Sequence, residues 1–277
     1  MRDIDSLDPL IADILANRKY RDLGIPTATL RDLLDKEMPN HRSPKDAVKA
    51  VRKKLHNIVA GYLGDPDYAS AAQSMAAAFQ PGDPDQVKAA CAALLSIHAS
   101  TKERLALLAD FYPRLFAVTG QPRVILDLAC GLNPLCFPWM GLTATIQYHA
   151  YDLNAPRVDF INQYFALQGL APLAVQQDIL VSPPQQAADV AFFFKEAHRF
   201  EQRQHGCNRP FWQALNVRWL LVSLPPSSLT GRHSLIDGHR QLVYHTIRGL
   251  PWQVTELLFD NELVFCIDKG ENGQKEG

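Results

Sequence analysis

The chain has no run of about 18 uncharged apolar residues, the length a membrane-crossing helix requires, so no spanning segment is expected. Met1 to Asp13 hold four aspartates and no apolar stretch, so no secretory leader is expected either. Cysteine is sparse. Cys91, Cys130, Cys136, Cys207 and Cys266 are scattered, odd in number and never spaced Cys-x-x-Cys. That excludes a disulfide framework or a zinc knuckle and reads as reduced thiols of a cytoplasmic protein, with no metal expected. An excess of charge is also missing: 28 Lys and Arg against 29 Asp and Glu leave a net charge of −1. A uniformly basic nucleic-acid binder is excluded. A local basic face is not, because binding responds to the local field. There is no internal repeat and no low-complexity tract. What remains is an ordinary folded composition, 47% apolar over 277 residues, enough for about two domains.

Residues 1–95 read as helical. Asp8–Ala16 and Thr29–Glu37 carry helical apolar spacing, and Asn40, Pro44, Gly64, Pro66, Pro81, Gly82 and Pro84 punctuate the region. The texture changes near residue 122. Arg123–Asp127, Ile146–Tyr151, Leu173–Gln177, Val190–Phe194 and Trp219–Leu224 are short strand-like runs, separated by helix-length stretches such as Pro156–Leu167 and Phe211–Val217. Strand alternating with helix predicts a parallel sheet covered on both faces. The chain ends differently: Trp252–Phe259, a turn at Asp260-Asn261, then Glu262–Asp268 predict an antiparallel hairpin. A parallel sheet closed by such a hairpin is the layout of Rossmann-like methyltransferases. The expected boundary is near residue 95, giving a helical domain at 1–95 and an α/β domain at 96–277, with Ser96–Ala117 as the latter's first helix.

Several constellations can carry chemistry. Val124-Ile-Leu-Asp-Leu-Ala-Cys-Gly131 runs a buried strand into a sharp turn, followed by Pro134, which can open a helix. Ligands of open α/β sheets bind at such carboxyl ends, and Gly131 permits close backbone approach. Only one glycine of the dinucleotide fingerprint is present, which disfavours a pyrophosphate cradle and an NAD enzyme; S-adenosylmethionine, a ligand without phosphates, fits better. A plain strand-to-helix turn is the bland alternative. Asp152 closes the next strand, where a carboxylate can accept hydrogen bonds from both ribose hydroxyls. It can equally cap the following helix. Asp178 follows the third strand, placed to take an adenine amino group. Lys195 and Glu196 end the wholly apolar fourth strand at the catalytic rim, where a snorkelling lysine is the alternative. Ser43-Pro-Lys-Asp46 can start a helix, with a capping side chain, Pro at the first turn and an acid beside it. Along that helix Lys45, Lys49, Arg52, Lys53 and His56 share one face, and residues 39–63 hold six Lys or Arg against one acid. This is either a phosphate-contacting face or a solvated one. No Ser/His/Asp or Cys/His arrangement is present.

Longer strings go further. His98-Ala-Ser-Thr-Lys-Glu-Arg104-Leu, Asp127-Leu-Ala-Cys-Gly-Leu-Asn-Pro-Leu135, Pro138-Trp-Met-Gly141-Leu, Lys195 with Glu201, Ser228-Leu-x-Gly-Arg232, Asn261-Glu-Leu-Val-Phe265 and Val51-Arg-Lys-Lys-Leu-His56 together resemble the aminoglycoside-resistance 16S rRNA methyltransferases, which modify N7 of a decoding-site guanine. The resemblance runs from about residue 43 to 269. It implies a Rossmann-like class I S-adenosylmethionine-dependent methyltransferase domain with a helical N-terminal domain, acting as a monomer on 16S rRNA within the 30S subunit and releasing S-adenosylhomocysteine. It implies that the cofactor lies against His98, Ala99, Ser100, Thr101, Lys102, Glu103, Arg104, Ala129, Gly131, Asp152, Leu153, Asp178, Ile179 and Phe194. Lys195, Glu201 and Arg232 are implied on the catalytic, target-base side, and the basic helix on the rRNA. Two positions depart from the pattern. Ser227 stands where the family usually has lysine, and Gly238-His239 where it has Asn-Tyr. A methyltransferase of the same fold acting on another RNA or a small molecule, or a non-catalytic ribosome-binding homologue, therefore stays open at this point.

Overall fold

The structure, a computed structural model, describes residues 7–18, 20–59, 65–226 and 234–270. Three helices lead: α1 (Asp8–Leu15), α2 (Thr27–Glu37) and α3 (Pro44–Val59). They bury a core of their own, including Ile14, Leu30, Leu34, Val51, Leu55 and Val59. The α3 start is as read from the sequence: Pro44 opens the helix, and the Ser43 hydroxyl accepts the Asp46 backbone N–H at 3.2 Å.

The next two helices, α4 (Tyr68–Phe79) and α5 (Pro84–Leu95), begin at Asp67 and Asp83, whose carboxylates accept first-turn N–H groups at 2.7 and 3.0 Å. Their apolar faces do not join the first core. Met75, Val87, Cys91 and Leu95 pack with Phe137, Tyr164 and Phe165 against one face of the sheet. The break between hydrophobic cores therefore falls between Val59 and Tyr68, ahead of residue 95. Helical sequence alone does not tell which core a helix face joins.

Seven strands form one sheet: β1 (Val124–Leu128), β2 (Gln147–Asp152), β3 (Ala174–Gln176), β4 (Ala188–Phe194), β5 (Val217–Leu224), β6 (Gln253–Phe259) and β7 (Glu262–Asp268). Their order is β3-β2-β1-β4-β5-β7-β6, with β1 to β5 parallel and β7 antiparallel to both β5 and β6. All seven expected strands are present within a few residues. Phe259 pairs with Glu262, so Asp260-Asn261 is the hairpin turn. Side chains alternate between faces: Val190 and Phe192 join the core under α4 and α5, while Ala191 and Phe193 join a second core with Phe211, Trp212 and Val222. Strand order reverses between β1 and β4, so their carboxyl ends open the crevice where ligands of such sheets bind.

Ser96–Ala117 is not one helix. It breaks into α6 (Ala99–Lys102), a 3₁₀ turn at Leu105–Leu107 and α7 (Leu108–Thr119). The break lies where the Arg104 side chain turns into the core, 1% exposed. Beyond Gly131 the chain forms a 3₁₀ stretch, Asn133–Trp139, in place of an α-helix. Pro138 has no N–H to donate to the carbonyl four residues back, which removes one rung from an α-helical ladder there. The remaining helices are α8 (Ala155–Leu167), α9 (Ala197–Arg203), α10 (Asn208–Ala214) and α11 (Ile236–Thr246). Among the described residues no helix is long and apolar enough to cross a membrane.

Candidate active site

A cavity of about 180 Å³ sits at the switch point. From the expected set it brings together His98, Thr101, Arg104, Ala129, Gly131, Asp152, Leu153, Asp178, Ile179, Phe194 and Lys195. The backbone is unusual here. Among the described residues the non-glycine positions with left-handed φ are Ala129 (51°) and Lys195 (59°), one after each switch-point strand. Such strain clusters at functional sites, where surrounding structure holds it. Gly131 is also left-handed (55°), a conformation side chains rarely adopt, and a β-carbon there would sit in ordinary contact, 3.8 Å, with the His98 ring.

The two acidic strand ends are already engaged. Asp152 accepts the Gly131 N–H at 3.0 Å, the Asn154 N–H at 2.9 Å and Arg157 at 2.9 Å. A carboxylate has roughly four acceptor sites, so one stays free. Two of the three donors meet Oδ2 and one meets Oδ1, so the open acceptor site is on Oδ1. Asp178 accepts both Nη groups of Arg203, at 3.0 and 2.6 Å, and the Leu180 and Val181 N–H groups at 3.1 and 3.4 Å; three of the four meet Oδ1, so the remaining room is on Oδ2.

Beneath the turn lies a buried polar network. The Asp127 carboxylate accepts Asn133 at 2.9 Å and Tyr148 at 2.7 Å. Burial pushes its carboxyl up to about 7, against the lowering effect of those two donors. The Asn133 carbonyl in turn accepts Tyr112 at 2.8 Å and Arg104 at 2.6 Å. Arg104 grips Glu262 with two bonds, at 2.9 and 2.5 Å, while its guanidinium lies 4.6 Å from the ring centres of both Phe111 and Phe194. Burial alone would raise the Glu262 carboxyl; Arg104 and Lys195 outweigh it and hold the group below the usual carboxylate range. Arg104 thus lines the cavity while its fork is spent on Glu262 and Asn133.

Lys195 is 8% exposed; its ammonium lies 2.6 Å from Glu103 and 3.8 Å from Glu262. Beside it Glu196 lines the cavity, accepts Arg199 at 2.8 Å, and has its carboxyl raised to about 7, by burial first and by nearby Asp152. Glu103 meets the site through Lys195 but does not line the cavity; neither does Lys102, and the side chains of Ala99 and Ser100 lie outside the described set. Glu201 is not brought to the cavity. Its carboxylate accepts the Gly206 N–H at 2.6 Å and Asn208 at 3.0 Å and pairs with His205, fastening the α9–α10 turn. The resemblance implied Glu201 on the target side; here it lies six residues past Lys195 on α9, away from the cavity. Arg232 and Ser227 lie outside the described residues. Gly238 and His239 open α11; the His239 ring packs 5.9 Å from that of His198, and burial lowers the pKa of both.

The α3 helix faces two ways. Lys45, Lys49 and Lys53 are exposed, and half-buried Arg52 pairs with Asp13 at 2.9 Å, with half-buried His56 one turn on. The opposite edge supplies Lys54, Asn57 and Ile58 to the cavity wall. Sequence reasoning missed those three, along with Arg157, Arg203 and Glu262. For Glu262 a signal existed, as a lone acid opening the apolar run Glu262-Leu-Val-Phe-Cys-Ile267.

A seven-stranded 3-2-1-4-5-7-6 sheet with an acid at the end of β2 and a glycine cradle after β1 defines a class I S-adenosylmethionine-dependent methyltransferase. The chain matches the family model "Ribosomal RNA methyltransferase (FmrO)" over residues 16–265, and it belongs to that family. It is 38% identical to a 16S rRNA (guanine(1405)-N(7))-methyltransferase of Serratia marcescens, across 95% of this chain and 99% of the relative. An enzyme of the same name from Micromonospora echinospora is 31% identical, across 96% and 97%. Among solved structures, the 16S rRNA methyltransferase RmtF in complex with S-adenosyl-L-homocysteine superposes with a TM-score of 0.75 at 28% identity, covering 95% of this chain and 97% of that one. The 16S rRNA methylase RmtB gives 0.74 at 30%, covering 95% and 98%.

Proposed function

We propose that this protein methylates N7 of guanine 1405 of 16S rRNA in the 30S subunit, with S-adenosylmethionine as donor, and so confers resistance to aminoglycosides. The observation that carries this reading is near-complete coverage of relatives bearing that activity in their names, joined to a cavity at the switch point whose walls suit the donor. The free acceptor sites on Asp152 and Asp178, the apolar Ile179 and Phe194, and the cradle at Gly131 fit a ligand with a sugar, an amino-bearing base and no phosphate.

When bound, S-adenosylmethionine supplies an activated methyl group on a sulfonium. Guanine N7 offers a lone pair and carries no proton, so no general base is required. The protein's work is alignment and exclusion of water. Asp152 accepts a ribose hydroxyl and Asp178 an amine of the purine. Phe194, pinned by stacking at 4.9 Å on Phe192 and by Arg104, walls the methyl-transfer side. A guanine stacked in RNA has to leave its stack to reach such a buried point. Lys195 stands at the rim for the flipped base, its ammonium held by Glu103. Arg232 completes the target side by contacting a phosphate or the guanine Hoogsteen edge. Lys45, Lys49 and Lys53 give α3 a phosphate-contacting outer face, and the helical N-terminal region (1–95) docks on the subunit as part of a cytoplasmic monomer.

Primer extension across 16S rRNA from cells expressing the protein, after borohydride and aniline treatment, tests this. A new stop at guanine 1405 is expected, and a stop elsewhere or none rejects the proposal. One observation favours a second reading, methylation of another RNA or a small molecule: Gly238-His239 and Ser227 depart from the family pattern on the target side, while the cofactor side does not.

A further inference from the structure

Both acidic strand ends are held by arginines that reach across to the part of the chain preceding the methyltransferase body. Arg157 of α8 bonds Asp152 at 2.9 Å with one Nη and Asp65, from the segment before α4, at 2.5 Å with the other; its Nε bonds the Tyr68 hydroxyl at 2.9 Å. Tyr68 donates to Asp65 at 2.6 Å and the Asn154 amide to Asp65 at 3.2 Å, so Asp65 is fixed from three sides. Arg203 of α9 forks onto Asp178 and lies 3.7 Å from Asp32 of α2. The neighbouring contacts follow the same path: Lys36 of α2 bonds both Asp32, at 2.9 Å, and Gln204, at 2.6 Å, and Arg199 bonds the Asn57 carbonyl of α3 at 3.4 Å.

We infer that Arg157 and Arg203 are positioning residues for the cofactor, and that Asp65 and Asp32 set their pose, so that the seating of the helices α1–α3 and cofactor affinity are coupled. The reasoning is geometric. A carboxylate offers its remaining acceptor site usefully only if its plane is fixed; backbone N–H groups at the strand ends hold each carboxylate, and the side-chain donor to each is a guanidinium that also reaches an acid ahead of α4. In an arginine held by one acid alone, the fork can swing over the carboxylate and cover the free site. With α3 also supplying Lys54, Asn57 and Ile58 to the wall, a shift of these helices changes both the polar contacts and the enclosure. Linkage makes the coupling reciprocal: cofactor binding steadies the helices as much as the helices steady the cofactor.

The inference rests on the cofactor reading above, and the test separates the two. Titration calorimetry with S-adenosylhomocysteine on the full chain compares the parent with Asp65→Asn, Asp32→Asn and Asp65→Glu. A weakening of about five- to tenfold is expected for Asp65→Asn, a smaller one for Asp32→Asn across its longer gap, and recovery for Asp65→Glu. In turnover assays the loss should appear in the KM for the donor and leave kcat at saturating donor near that of the parent. Amide exchange across residues 44–59 should slow on adding S-adenosylhomocysteine to the parent, and slow less in both Asn variants. If Asp65→Asn does not fold, judged by its thermal transition without ligand, Asp32→Asn decides. Tight binding by the parent with unchanged affinity and exchange in the Asn variants overturns the coupling and leaves the cofactor reading standing. No binding of either nucleoside by the parent overturns both.

Discussion

The buried pair Arg104–Glu262 allows a sharp test of what holds the site together. Glu262 is fully buried and Arg104 nearly so. Replacing Glu262 with alanine leaves a guanidinium buried between two phenylalanine rings, with only the Asn133 carbonyl as partner. Breaking one side of a buried ion pair costs about 3–5 kcal/mol, because the remaining charge has lost its compensation. Against a typical total of about 5–15 kcal/mol, that is a large share of the stability. At roughly 2–4 °C per kcal/mol for a chain of this size, Tm should drop by about 6–20 °C. The double variant Arg104→Met with Glu262→Leu removes both charges and keeps apolar volume between Phe111 and Phe194. Such replacements are often neutral or stabilising, so the double variant should be more stable than Glu262→Ala alone. Asn133 then still accepts from Tyr112, and Lys195 still has Glu103. Urea unfolding of the parent, Arg104→Met, Glu262→Leu and the double variant measures the cycle, with Glu262→Ala run beside them. A double variant destabilised by the sum of the single losses would refute the reasoning, because additivity means zero coupling: each residue would stabilise the fold independently, and no orphaned charge would account for the single losses.

Other outcomes follow from the same geometry. Asp152→Ala should weaken S-adenosylmethionine binding by about 1–3 kcal/mol, the range for losing a charged acceptor, and unchanged calorimetric affinity would remove Asp152 from the site. Lys49→Glu with Lys53→Glu should lower affinity for 30S subunits and flatten its salt dependence while leaving cofactor binding intact; identical binding across a salt series would make α3 a merely solvated face. Asp127 titrates near 7 folded against an ordinary 3.8, so the folded state holds the extra proton and this group's contribution to stability falls as pH rises from about 4 through 7. Asp127→Asn should lose that part of the pH dependence, read as ΔG of unfolding at a series of pH values. Arg232→Ala should leave cofactor affinity nearly unchanged while transfer to 30S subunits and host resistance to 4,6-linked aminoglycosides both fall sharply; retained resistance would take Arg232 off the target side.

Much of this was legible in the sequence because it rests on local pattern. Alternation and apolar runs marked all seven strands, and strand-end position picked out Asp152, Asp178 and Lys195 among 29 acids and 28 bases. What escaped rests on partners far apart along the chain. Arg104 meets Glu262 across 158 residues and Arg157 meets Asp65 across 92, and no spacing rule connects them. The broken Ser96–Ala117 helix is the same failure at the level of the element: helical spacing continued through Arg104, but its guanidinium is drawn inward to Glu262 and the backbone tightens there. The resemblance implied Glu201 on the target side beside Lys195, whereas α9 carries that residue to its own turn.

The most direct measurement of the central claim is transfer of radiolabelled methyl from S-adenosylmethionine by the purified protein, run in parallel on 30S subunits, naked 16S rRNA and a small-molecule panel, with the labelled nucleotide mapped. The account predicts label in the 30S subunit at N7 of guanine 1405, up to one methyl per subunit. Binding of S-adenosylmethionine with no label in 30S subunits, or label at another nucleotide or in a small molecule, would contradict it.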